Sequence, residues 1–262
     1  MIIVKHELRQ GRISLMIWTA TIAFMMGICI LIFPDMSSDM GDLGRMFSDM
    51  GSFSAAFGMD KINFGEFTGF FAVECGNILG LGGAFYAAYI GIMALSKEEK
   101  EHTAEFLLSH PVSRTRIVAE KLLAVFLQIL VLNAVTAAVT AAGILVIREE
   151  VQAETMVLLL AAYLLMQIET AAVSFGISAF LSRSGPGIGI GLAALLYFLN
   201  IAANLTEKLK FLKYITPFGY TDGAEIIADG ALQTGFLATG LVLGAAGLIS
   251  AFWYYTRKDI VS

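Results

Sequence analysis

Apolar runs long enough to cross a bilayer alternate along this chain with short polar segments. A helix needs roughly 20 apolar residues to span the hydrocarbon core. Six runs reach or approach that length, at about residues 13–33, 67–95, 117–147, 156–181, 187–203 and 235–255. The third exceeds what a bilayer requires and is expected to project beyond it at its start. The fifth is the shortest and is rich in glycine. The pattern predicts an all-α membrane protein with six transmembrane helices, built as a single transmembrane domain over residues 1–262.

Cationic residues orient the bundle. With the N-terminus inside, the inner segments hold 11 of the 17 Lys and Arg residues and the outer segments hold 6. The positive-inside rule then places both termini in the cytosol of a multi-pass protein of the cytoplasmic membrane. Within residues 1–12, Val4 and Leu8 lie four apart, as do Lys5 and Arg9. One helix face there is apolar and its neighbour basic, as in a helix lying along the membrane surface. The first apolar run is too long for a signal-peptide core and ends at Pro34 with no small-residue cleavage pattern.

Composition agrees with the spans. Hydrophobic residues make up 57% of the chain and charged residues 15%, against about a quarter charged in soluble domains. The net charge of -5 speaks against a nucleic-acid partner. Cys29 and Cys75 both fall in apolar runs and read as small buried hydrophobes rather than disulfide or zinc ligands.

The most charged connection, residues 96–116, reads SKEEKEHTAEFLLSHPVSRTR. Ser96 and Glu99 have the spacing of a capping box, which predicts a helix starting at Ser96. Pro111 disfavours helix at His110, so that helix is expected to end near Ser109. Ser113 can cap the next one. Acidic residues at Glu98 and Glu99 suit the start of the first helix. Phe106, Leu107 and Leu108 form an apolar patch that membrane, a neighbouring helix or a partner protein must cover.

This stretch resembles the signature of ABC-2-type transporter permeases, which reads approximately E-x-x-x-G-T-x-E-x-L-L-x-x-P-[VL]-S-R followed by a Lys. Thr103, Glu105, Leu107, Leu108, Pro111, Val112, Ser113, Arg114 and Lys121 match it, whereas His102 stands where the family has glycine. The TPFGYTDG stretch at 216–223 and the WYYTRKDI stretch at 253–260 are also similar to family habit. The resemblance implies that residues 96–116 form a cytosolic coupling helix region. Glu98, Glu99, Thr103, Glu105, Phe106, Leu107, Leu108, Pro111 and Arg114 would then contact a separate nucleotide-binding ATPase subunit. It further implies two copies of that ATPase, a second permease in a homodimer or heterodimer, and ATP and Mg held by the partner. The substrates implied are peptide, drug or lipid-like. In the sequence itself, no G-x-x-x-x-G-K-[ST] phosphate loop occurs, so no cofactor is expected on this chain and the energy must come from elsewhere.

Two acidic residues sit in apolar runs, Glu74 and Glu169. Ionisable groups there cost about 2.5–3.5 kcal/mol on insertion scales and face protein or water rather than lipid. Each could contact substrate, carry a proton, or pair with Asn77, Gln128, Asn133 or Gln167. Glu74, Asn77 and Glu169 are therefore the candidate substrate pathway. An intramembrane enzyme using Glu74 and Glu169 as acid and base is a second reading, but no nucleophile or metal cluster accompanies them. A proton-driven secondary transporter is a third, without visible inverted repeats. Glycines recur four apart at Gly76 and Gly80, Gly187 and Gly191, and Gly240 and Gly244, a spacing that lets helices approach closely. Pro217 and nearby glycines predict short helices across residues 208–229.

Overall fold

The structure, a computed structural model, describes residues 2–49, 54, 62–100, 112–182 and 185–258. Among these every regular element is helical, and six helices are long and apolar enough to cross a membrane. Helix α1 is Ile2–Asp49. Helix α2 runs in three consecutive parts: Phe67–Phe70, a π-helical turn Phe71–Cys75, and Gly76–Lys100. Helices α3 (Arg114–Ile147), α4 (Ala153–Phe180) and α5 (Pro186–Leu205) follow. A 3-10 helix Glu207–Tyr214, a short α6 (Gly223–Asp229) and α7 (Thr234–Tyr255) complete the order. The short helices fall within the segment expected to hold them.

Three boundaries differ from the sequence expectation, each because no strong breaker wins. The helix expected to lie flat over residues 1–12 is the first part of α1, continuous with the first span. It packs along the start of α3, where the amide groups of Ile3 and Val4 donate to Glu120 Oε2 at 3.0 and 3.3 Å. Protein, rather than headgroups alone, holds this segment, while Lys5, Arg9 and Arg12 stay exposed. Pro34 lies inside α1 instead of ending it. In apolar surroundings a helix that loses one bond at proline is far less costly than an open backbone. Ser96 does not cap a new helix: it sits within α2, and its Oγ donates to the Ile92 carbonyl at 2.8 Å. That bond back to the preceding turn leaves the helix free to continue through Lys97–Lys100. Ser113, by contrast, does cap α3, accepting from the Arg116 amide.

Helices in lipid gain nothing from apolar burial against one another and associate by close packing. Here glycine sets the crossings. A side chain at Gly91 on α2 would meet the Ala171 carbonyl of α4 at 2.7 Å. One at Gly189 on α5 would meet the Ala88 carbonyl of α2 at 2.6 Å. One at Gly176 on α4 would meet Gly247 of α7, carbonyl and Cα, at 2.6 and 2.7 Å. Backbone thus meets backbone at α2–α4, α2–α5 and α4–α7, and α2 and α4 are the most enclosed helices. Helix α1 packs mainly on α3, the two running parallel, with Gly11 near Gln128 and Gly143 near Ile30. Of the glycine pairs, Gly76 and Gly80 close on Tyr163 and Gly240 and Gly244 on Glu169 and Ala172, while Gly187 and Gly191 have open space beside them.

Candidate functional site

One end of the bundle gathers the starts of α1 and α3 and the ends of α2, α4 and α7. Lys121 on α3 is 1% exposed, and its Nζ donates to Glu7 Oε1 of α1 at 3.0 Å and to the Ala94 carbonyl of α2 at 2.7 Å. It also pairs with Glu98 of α2. Just past α7, Lys258 Nζ donates to the Ala179 and Leu181 carbonyls at the end of α4, at 3.2 and 3.5 Å. Those carbonyls belong to a helix C-terminus, where a cation is favoured. Lys258 Nζ lies 2.6 Å from Glu99 Oε1 in an ion pair without hydrogen-bond alignment. The Lys258 carbonyl in turn accepts from Arg114 Nη1 at 2.6 Å. Arg116 pairs with Glu120 at 2.8 Å.

This end therefore brackets the coupling-loop candidates. Glu98 and Glu99 close α2 and Arg114 opens α3, so the structure places these three together. Thr103, Glu105, Phe106, Leu107, Leu108 and Pro111 lie outside the described residues. The sequence reading counted Lys121 and Lys258 as topology and motif residues and missed that both are nearly enclosed. A lysine seven residues after Arg114 and five after Arg116, inside the start of an apolar run, was the available signal.

The polar residues of the spans pair differently from the expectation. Gln128 accepts from Tyr86 Oη at 2.9 Å, and Asn133 donates to Gln167 at 2.7 Å. Glu169, 5% exposed, accepts instead from Tyr220 Oη at 2.8 Å. Tyr220 belongs to the segment after the 3-10 helix, which folds back into the bundle: Thr216 donates to the Leu196 carbonyl at 2.9 Å, nine residues short of the end of α5. Nine residues of helix are about 13 Å, so this segment reaches well below the end of α5. Its irregular backbone is buried in protein from Thr216 to Thr221, the setting in which non-helical chain is tolerated at membrane depth. Lys213 braces it with Asp222 and Glu225 at 3.4 and 3.3 Å.

The three pathway candidates do not share one site. Asn77 lines a polar cavity of about 60 Å³ with Tyr163, Tyr197, Asn200, Asn204 and Asp222. Glu169 lines a separate apolar groove of about 440 Å³ between α4, α5 and α7, walled by residues such as Val173, Phe180, Leu196 and Leu243. Glu74 is half-buried in the π-helical turn of α2, a distortion frequent at functional positions. Removing the phenolic hydroxyl in Tyr220→Phe leaves the Glu169 carboxyl without its donor. We expect a loss of about 1–3 kcal/mol, read as a lower thermal midpoint of the purified protein. An unchanged midpoint would show that water replaces the hydroxyl at no cost.

Among the described residues, the chain is a six-span helical bundle with ionic anchors on both sides of the segment 101–111 and with Glu169 enclosed beside an apolar groove. The profile of the family described as ABC-2 family transporter protein matches residues 1–260. The chain belongs to that family, whose members are membrane-spanning transport subunits that generally partner with an ATP-binding subunit. No curated protein matches the chain.

Proposed function

We propose that this chain is the permease of an ATP-driven exporter, with ATP and Mg bound and hydrolysed on two copies of a separate subunit. The observation that carries this reading is the ionic anchoring of Glu98, Glu99 and Arg114, which flank residues 101–111, in a chain whose family match runs nearly end to end. The loop's Phe106, Leu107 and Leu108 would be covered by the ATPase, and its fixed ends make it a suitable receiver of a rigid-body push. The anchored end is cytosolic in this reading, which agrees with the excess of Lys and Arg there. A second permease completes the pathway. The apolar groove with Glu169 at one edge suits a hydrophobic or amphiphilic substrate, and export of a peptide, drug or lipid-like molecule across the cytoplasmic membrane is the corresponding function.

The docking role has a direct test. Changing Phe106 and Leu108 together to Asp is expected to abolish copurification of the ATPase with the permease. It leaves the six spans inserted, because neither residue lies in one. Retained ATPase binding by this double variant would rule the loop out as the docking element.

A further inference from the structure

The bundle end that holds the loop is organised around two enclosed cations, and they lead to different places. Both draw on the same short stretch of α2. Glu98 pairs with Lys121, and Glu99 pairs with Lys258. Adjacent positions on an α-helix point about 100° apart, so consecutive carboxylates necessarily face different neighbours. From Lys121 the connection goes to Glu7 of α1. From Lys258 it goes to the last carbonyls of α4, and by covalent continuity to α7. Each cation is also tied to α3 on the far side of the loop: Lys121 is itself an α3 residue, and the Lys258 carbonyl takes the Arg114 guanidinium.

We propose that Lys121 and Lys258 are positioning residues that split the movement of the loop into two outputs, one to α1 and one to the α4–α7 pair. This rests on the reading that loop 101–111 docks on an ATPase. Because both α2 carboxylates sit immediately before the loop, a displacement of its start moves both ion pairs. The side chains at 1% and 8% exposure are shielded from water, so these pairs are held rather than exchanged with solvent as surface pairs are. Packing alone joins α1 chiefly to α3, and α7 chiefly to α4. Helix α2 also packs directly on α4 and, less extensively, on α1; the two lysines add ionic links to that packing at the end of α2 next to the loop.

The test uses the permease–ATPase complex in lipid nanodiscs and hydrogen exchange with and without ATP plus vanadate. Glu7→Gln and Glu99→Gln each neutralise one carboxylate while leaving the lysine its remaining acceptors. In the wild type, nucleotide is expected to alter exchange at residues 101–111, at 34–49 and at 223–233. Glu7→Gln is expected to lose the response at 34–49 and keep that at 223–233; Glu99→Gln is expected to do the reverse. Both keep the response at 101–111. Glu99→Asp, which retains the charge, is expected to restore the response at 223–233, an outcome that a merely structural role for Glu99 would not give. Wild-type responses in both variants, or joint loss of both far responses in either one, would overturn the division of outputs. A wild-type complex with no response at 101–111 would overturn the docking reading instead. If Glu99→Gln does not fold, Lys258→Gln, which breaks the same pair from the other side, carries the comparison, with Lys258→Arg as the charge-retaining control.

Discussion

Gly176→Leu is expected to prevent α4 and α7 from closing on each other and to leave little folded protein after extraction. The Cβ alone would stand 2.6–2.8 Å from three backbone atoms of Gly247. Backbone cannot swing aside as a flexible side chain can, so the helices must separate. Overpacking costs about 1–3 kcal/mol where side chains can adjust and more where they cannot. Separation also breaks the neighbouring contact of Gly240 and Gly244 with Glu169 and Ala172. Loss of the monodisperse peak on size exclusion and a lowered thermal midpoint are the readouts. Gly187→Leu and Gly191→Leu are the controls, because both positions have open space within the chain. If the controls unfold the protein as Gly176→Leu does, the backbone crossing is not what sets the effect.

The second large effect is expected at Lys121→Met. Methionine fills much the same space, so the change removes charge rather than volume. It leaves Glu7 and Glu98, at 16% and 13% side-chain exposure, facing one another without their shared cation. Removing one partner of a buried pair costs about 3–5 kcal/mol, because the remaining charge stays desolvated. Glu7→Gln should cost far less, since Glu98 and the Ala94 carbonyl still hold the ammonium. Chemical denaturation in detergent separates the two. Equal losses would mean that Glu7 carries most of the interaction.

The spans were legible because lipid demands one thing above all, a run of about 20 apolar residues with every backbone group bonded within it. The Ser113 cap and the broken segment around Pro217 were legible for a similar reason: each is decided by residues a few positions apart. The continuity of α1 through Arg12 and Pro34, and of α2 through Ser96, was not. Local signals there favour a boundary, and packing of residues 2–12 on α3 and the Ser96 bond to Ile92 outweigh them. Glu169 was singled out as a costly group that faces protein or water rather than lipid, and in the structure it accepts from Tyr220. Its partner could not be read, because Tyr220 reaches it only when a segment 51 residues later folds back between helices. Spacing marked glycines in pairs, yet Gly91, Gly176 and Gly189 make the backbone crossings without belonging to any of them.

The unbroken course of α1 has a mechanical consequence. Its 48 residues make a rod about 70 Å long, while the hydrocarbon core is about 30 Å thick. Roughly half of its length therefore stands outside the apolar layer, and one helix is in touch with both aqueous sides. Tilting such a rod by 10° about its midpoint would sweep each tip through about 6 Å, a displacement comparable to one helical turn. A reorientation of the end held by Glu120 and Lys121 is thus matched by an equal and opposite sweep of the far tip, with Pro34 the one weakened turn between them.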